Sequence, residues 1–442
     1  MVASIRSKGH PPRVHGRADK GRWPVSLRSF RYHFLLALGL GCVWCSRATA
    51  DPPPVPAETP VESAEQLDDG SWYEPYGDGQ PYVPAMQGPL HNGYARFEML
   101  LWWRGGQDVP PLATTSPAGT AQGIAGVLGN PTTTILAGGQ KITDDARIGG
   151  RVTVGQWFDP YQVNGVVVRF FTLGEDSSQY QFTDSQYSIL GRPIINASTS
   201  AEDARLVTYP GISAGTITID ANSNISGGDV LARLSIARYH GLRMDLLGGY
   251  QASRIDEGLQ VVDVLTSLDP GGSVPVGTVI TTDDRFATRN QFHGGVVGLI
   301  IEGDRGVVTW TAMAKLGLGN MRQNVTIAGT TTTVIPAGGT TTTTGGLLAL
   351  PTNIGSYEQD KFALVPEFTL GMRWRMSPHA SLSAGYNFIY WSEVARPGEQ
   401  IDRVVNLTQV PGPIVGPARP AFPFNSGGLL VHGFQFGLQL DY

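Results

Sequence analysis

The side chains best suited to chemistry in this sequence are charged residues set into apolar runs at alternating positions: Arg96, Glu98, Arg151, Arg233, Arg243, Asp245, Arg289, Lys315, Glu367, Arg373 and Arg375. On one face of a sheet, such guanidinium and carboxylate groups either neutralise one another or form a charge ring that selects ions. Residues for other chemistry lack partners. His240 and His379 fall in predicted turns and His293 within a strand, none with a serine, acid or metal ligand at fixed spacing, so each is expected to be structural. Gly123, Gly126 and Gly129 lack the strand-to-helix context of a phosphate loop. The carboxylates around Asp68 and Asp69 follow no regular calcium-loop spacing. The only cysteines, Cys42 and Cys45, lie in the first fifty residues, so residues 51–442 hold no disulfide, thiolate ligand or thiol nucleophile. No catalytic residue, metal or cofactor is assigned, and the chain is expected not to be an enzyme.

The elements that carry these charges are strands. Gly 57 and Pro 31 in 442 residues, with only 16% charged residues, argue against a helical bundle, a coiled coil or a soluble α/β enzyme. A hydrophobic content of 41% excludes wholesale disorder. From Tyr94 the pattern has period two: Ala95, Phe97, Met99, Leu101 and Trp103 share one face, Arg96, Glu98, Leu100, Trp102 and Arg104 the other. The same reading gives strands over about 146–158, 161–174, 228–239, 241–256, 285–302, 306–323, 361–376, 380–394 and 429–442.

Short connections at Asp159-Pro160, His240, Gly303–Arg305 and Ser377–His379 alternate with long ones at roughly 105–145, 175–227, 257–284, 324–360 and 395–428. An up-and-down barrel with one elaborated end gives this alternation, and it puts both strand termini at the short-turn end. The predicted fold is all-β: a transmembrane antiparallel up-and-down β-barrel of about ten strands, or twelve if a pair hides in 175–227, with long extracellular loops. Its apolar face turns to lipid, the charged face lines a lumen, and Trp102-Trp103, Trp157-Phe158, Trp374 and Tyr390-Trp391 are expected in interfacial girdles. Ten strands lie between the filled eight-stranded barrel and the open sixteen-stranded channel, so large arginines suggest a narrow or blocked lumen. Two related phrases, Pro131–Gly139 and Thr331–Gly339, are expected to be surface decoration, with a binding loop or a lumen-folding plug as alternatives.

Ahead of the barrel, a basic stretch with Arg6, Lys8, Arg13 and Arg31 precedes the apolar run Phe34–Trp44 and Ala48-Thr49-Ala50. This reads as a signal peptide over 1–50, its apolar run being too short to cross a bilayer as a helix. Residues 51–93 read as a Pro-rich acidic periplasmic linker and 94–442 as the barrel. Residues 51–442 hold 23 basic and 36 acidic residues, a net charge of −13; the N-terminal basic run, set directly before an apolar segment, reads as a topology signal, so nucleic acid is not an expected partner. The expected partners are outer-membrane lipid and the outer-membrane insertion machinery, which would read the terminal strand ending in Tyr442 and close the barrel with it. Small solutes or an unidentified surface ligand complete the set.

Several runs carry a resemblance: Tyr94–Trp103, Gly241–Tyr250, Phe286–Gly295 and, most specifically, Gly385–Ser392 continued by Arg396–Asn406. Over residues 94–442 the chain resembles a planctomycete family of outer-membrane β-barrel proteins of uncharacterised function. The resemblance implies an integral outer-membrane barrel and supplies no ligand or catalytic residues. The expected function is a structural or small-solute-permeable envelope component. A surface adhesion or ligand-binding barrel is the alternative, and an outer-membrane hydrolase a third.

Overall fold

The computed structural model describes residues 92–142, 146–409 and 412–442. The expected signal peptide, and the linker apart from Asn92 and Gly93, lie outside them. Ten strands follow in order: β1 Gly93–Arg104, β2 Ala146–Trp157, β3 Asn164–Thr183, β4 Ser213–Tyr239, β5 Leu242–Ser267, β6 Val279–Arg305, β7 Val308–Ile335, β8 Gly355–Ser377, β9 Ala380–Val394 and β10 Gly427–Asp441. Each pairs antiparallel with its neighbour, and β10 returns to β1 with Asp441 opposite Tyr94 and Val431 opposite Arg104, so the ring closes without an edge. Among the described residues there is no α-helix. The expected hidden pair exists as Leu190–Asn196 and Ala201–Thr208, but it joins a separate five-stranded sheet, so the ring has ten strands and not twelve.

Outward side chains define a lipid belt. Ile148 is 71% exposed and Phe362 70%, with Phe97, Met99, Leu246, Val297, Leu370 and Phe436 exposed beside them, which water would not tolerate over so large a surface. Within each expected aromatic pair only one ring can face lipid, because neighbours on a strand point to opposite sides. Phe158 and Trp374 face out, whereas Trp102, Trp157 and Trp391 are buried inside, a correction to the girdle expected from sequence. Trp103 stacks on His432, which is hydrogen-bonded to Tyr386 at 2.6 Å; Tyr250 and His293 form a second such pair at 2.6 Å.

Beyond this belt the strands do not stop. β4 to β7 run to 27, 26, 27 and 28 residues, whereas β1 and β2 have 12, so one side of the wall stands far taller than the other. Above the belt the polarity of the wall inverts. On β4, Asp220, Asn222 and Asn224 now point outward while Ile217, Ile219 and Ala221 are buried inward. Much of what the sequence suggested as long loop is therefore strand, and only its reversed facing disguised it.

The true connections at this end fold over the apolar inner face of the tall wall. Ala113–Thr115, Thr134–Ala137, Leu190–Asn196, Ala201–Thr208 and Val404–Val405 form the five-stranded cap sheet. Leu112, Ile194, Val207, Leu348 and Val405 of the connections pack with Ile219, Val261, Phe286 and Ile327 of the wall in one buried core. At the opposite end the turns are short. His240 and Gly241, with φ of 44° and 78°, make the two-residue hairpin turn whose twist matches the strands.

Candidate functional site

Inward side chains fill the lumen in successive tiers. At the short-turn mouth, Arg233 on β4 bonds Asp245 on β5 and reaches Glu302 on β6 at 2.5 Å, and Arg243 bonds Asp245 at 2.8 Å. Both guanidinium groups lie over the Trp157 ring, 4.8 and 4.1 Å from its centre. Arg96 donates to Gln439 at 2.6 Å and is half-buried, as is Arg373; Arg375 is exposed at the rim.

The next tier spans the bore. Arg169 on β3 bonds Asp229 on β4 at 2.6 Å and Glu367 on β8 at 3.0 Å. Lys315 on β7 reaches the same two carboxylates at 2.5 and 2.8 Å. Beside them Arg151 binds both oxygens of Glu98 at 2.6 and 3.0 Å and also meets Gln435. A paired, bidentate geometry of this kind offsets the heavy cost of removing charges from water.

Above lies an apolar tier of Leu100, Trp102, Phe171, Ile225, Phe292, Met321 and Trp391. The indole N–H of Trp391 on β9 donates to Ser253 on β5 at 2.9 Å, again across the bore. Higher still, Glu257 takes Arg104 of β1 and, at 3.2 Å, Arg396 of the last long connection. Asn290 fixes that connection by exchanging two hydrogen bonds with the Ala395 backbone, at 2.9 and 2.8 Å.

The cap repeats this logic. Arg192, 1% exposed, bridges Asp263 at 2.8 Å and Asp284 at 2.7 Å. Burial alone would lower the Arg192 pKa, but Asp284 and Asp263 outweigh it and hold the guanidinium above its ordinary value. Asp284 also accepts the backbone N–H groups of Leu347, Leu348 and Ala349 at 2.8–3.0 Å, which folds that connection inward.

Of the residues singled out in the sequence, Glu98, Arg151, Arg233, Asp245, Lys315 and Glu367 are buried inside and Arg96, Arg243 and Arg373 are half-buried there. Arg289 is a correction. It points outward, 55% exposed, and pairs with Asp256 at 3.0 Å, because it sits above the belt where polar residues face water. Tyr442 exchanges backbone hydrogen bonds with Gly93 at 3.0 Å each way, at the seam of the ring. Sequence reasoning missed Arg169, which stands among Val167, Phe171 and Leu173 on a face that looks apolar; its signal is that a lone charge interrupts such a run. It also missed Asp229, at the start of an expected strand, and the cap trio, which lay in presumed loops. The Pro131–Gly139 phrase is built into the cap sheet, whereas the Thr331–Gly339 phrase makes an exposed hairpin. Among the described residues no group of three or more His, Cys, Asp or Glu side chains is placed to hold a metal.

A closed antiparallel ring with a lipid-facing apolar belt and a polar interior is an outer-membrane β-barrel. The chain belongs to the family described as "Putative beta barrel porin-7 (BBP7)", which matches residues 94–442. No curated protein matches it in sequence. Among solved structures it is similar to the outer membrane protease OmpT from Escherichia coli, at 11% identity and a TM-score of 0.34 over 80% of this chain and 98% of that one. A Pseudomonas aeruginosa FadL homologue is similar at 8% identity and a TM-score of 0.20, over 79% and 90%.

Proposed function

We propose that the chain is a closed, non-enzymatic structural component of the outer membrane, exported by its N-terminal segment, with the capped end outside the cell. The observation that carries this reading is the Arg169–Glu367 ion pair, which joins opposite walls in the middle of the lumen. An apolar tier and a packed cap lie above it, which suits a filled bore better than an open one. The lumenal carboxylates each hold a cation, which suits filling better than proton transfer. Purified barrel in a planar bilayer tests the reading: a membrane silent over the usual voltage range is expected, and discrete ion steps would replace it with small-solute permeation.

One observation favours a second reading, a surface barrel that binds a ligand. A cleft of about 560 Å³ opens in the cap, floored by Leu206, Ile212, Leu265 and Val274 and rimmed by Gln122, Ser267 and Asp269. Leu206→Arg would block it, and unchanged retention of every surface ligand by that variant would remove this alternative.

A further inference from the structure

The end of β7 continues past the barrel into a hairpin: Thr330–Ile335 pairs with Gly339–Thr344, and among the described residues the latter strand has no partner on its other side. All six of its residues are exposed. The ladder bond from Gly345 N–H to Gly329 O sets the alternation, so Thr340, Thr342 and Thr344 aim their N–H and C=O groups at the open edge. Proteins ordinarily blunt such an edge with Lys, Pro or a bulge. Here there is none, and no charged residue occurs from Asn324 to Tyr357.

We propose that this edge pairs antiparallel with the same strand of a second copy of the chain. The hairpin itself carries the argument for that occupant. Its two arms already set Thr against Thr at four successive positions, Thr330 to Thr333 against Thr344 to Thr341, with the hydroxyls of Thr332 and Thr342 at 3.0 Å. A threonine tract is thus the partner this backbone accepts, and a twofold axis at Thr342 sets Thr340 against Thr344 of the other copy, matching all the free backbone groups at once. From Leu318, in the lipid belt, to Ile335 is roughly 55 Å of strand, enough to carry the hairpin well clear of the membrane. Rotation about the membrane normal preserves a strand's outward or inward sense, so two copies in one membrane cannot pair antiparallel this way. The pairing joins barrels on opposed membranes, and in that respect it rests on the capped end facing outward.

The test uses full-length Thr342→Cys with Cys42 and Cys45 changed to Ser, and Asn320→Cys on the outer wall as control. In detergent, oxidation should give a disulfide dimer with Thr342→Cys and not with Asn320→Cys; no dimer would overturn the edge pairing whatever the orientation. Two populations of outer-membrane vesicles, each with its own tag on the Thr342→Cys chain, are then mixed and oxidised. Dimers carrying both tags are expected, and Thr342→Pro without the cysteine should abolish vesicle tethering while heat-modifiable migration persists. A dimer in detergent without mixed-tag dimers would overturn the opposed-membrane geometry, and surface labelling of the hairpin separates that failure from an inverted barrel.

Discussion

Arg169 on β3 bonds Glu367 on β8, five places round a ring of ten and so directly opposite, at 3.0 Å. Glu367→Gln leaves Arg169 and Lys315 to share Asp229 alone. Removing one partner of a buried ion pair costs about 3–5 kcal/mol, so the urea midpoint of unfolding should fall clearly. Asp360→Asn on the outer wall should stay within about 0.5 kcal/mol of the parent. Bilayer currents should remain absent in Glu367→Gln, Arg96→Ala and Arg373→Ala, because the Trp102 and Trp391 tier still fills the bore.

The cap depends on Arg192. Arg192→Met leaves Asp263 only the longer contact to Arg205 at 3.4 Å and Asp284 only its backbone N–H donors, again at a cost of about 3–5 kcal/mol. Limited proteolysis should then cut the cap connections between Gly105 and Ile142 or between Asp184 and Ile212 while the barrel keeps its heat-modifiable migration. A cap as resistant as the parent's would mean the apolar core holds it without the ion pairs.

Two carboxylates give opposite dependence on pH. Backbone N–H groups of Asn164 and Val163 lower the Asp159 pKa. Its stabilising effect is therefore present above the unfolded value of about 3.9 and lost as pH falls through the folded one. Burial raises the pKa of Glu399, with Arg396 pulling the other way. Its contribution is complete below the unfolded value and lost as pH rises through the folded one. Denaturation series at several pH values should find Asp159→Ala destabilising at neutral pH only, and Glu399→Gln stabilising at neutral pH and neutral in acid.

An epitope between Ala337 and Gly338, at the hairpin tip, should be labelled on intact cells, and one beside Asp304 should not. Gly138 is unsuitable for the insertion, since even a Cβ there would collide with the Pro110 carbonyl oxygen. Equal labelling of both sites would overturn the orientation.

Deleting Leu440–Tyr442 removes the partners of Tyr94 and Ala95 and both bonds to Gly93. Unsatisfied backbone in hydrocarbon costs several kcal/mol per group, so the truncated chain should be degraded before insertion, whereas trimming the same length near Pro60 should be harmless. Fractionation with heat-modifiable migration reads both outcomes.

The belt was legible in the sequence because lipid and lumen impose opposite polarity on alternate residues, as Phe97 beside Glu98 or Phe368 beside Glu367 illustrate. Above it the same alternation continues with its sense reversed. Ile219 beside Asp220 looks like a loop when the rule being applied is apolar outside. The cap was not legible at all, since Arg192, Asp263 and Asp284 are far apart in sequence and meet only because β5 and β6 continue upward. Arg289 was misjudged for the same reason: charge alone does not say on which side of the inversion a residue stands.

The uneven height of the wall bears on the order of assembly. The cap is built from the connections after β1, β3, β7 and β9, and Gly398 N–H meets the Gln107 side chain at 3.3 Å across a separation of 291 residues. Contacts of such sequence separation form late, because the loop-closure entropy is met before they give anything back. The tall strands can pair first as a curved sheet, with the roof settling only after β10 has met β1. A protease-resistant roof is therefore a molecular receipt for a finished ring.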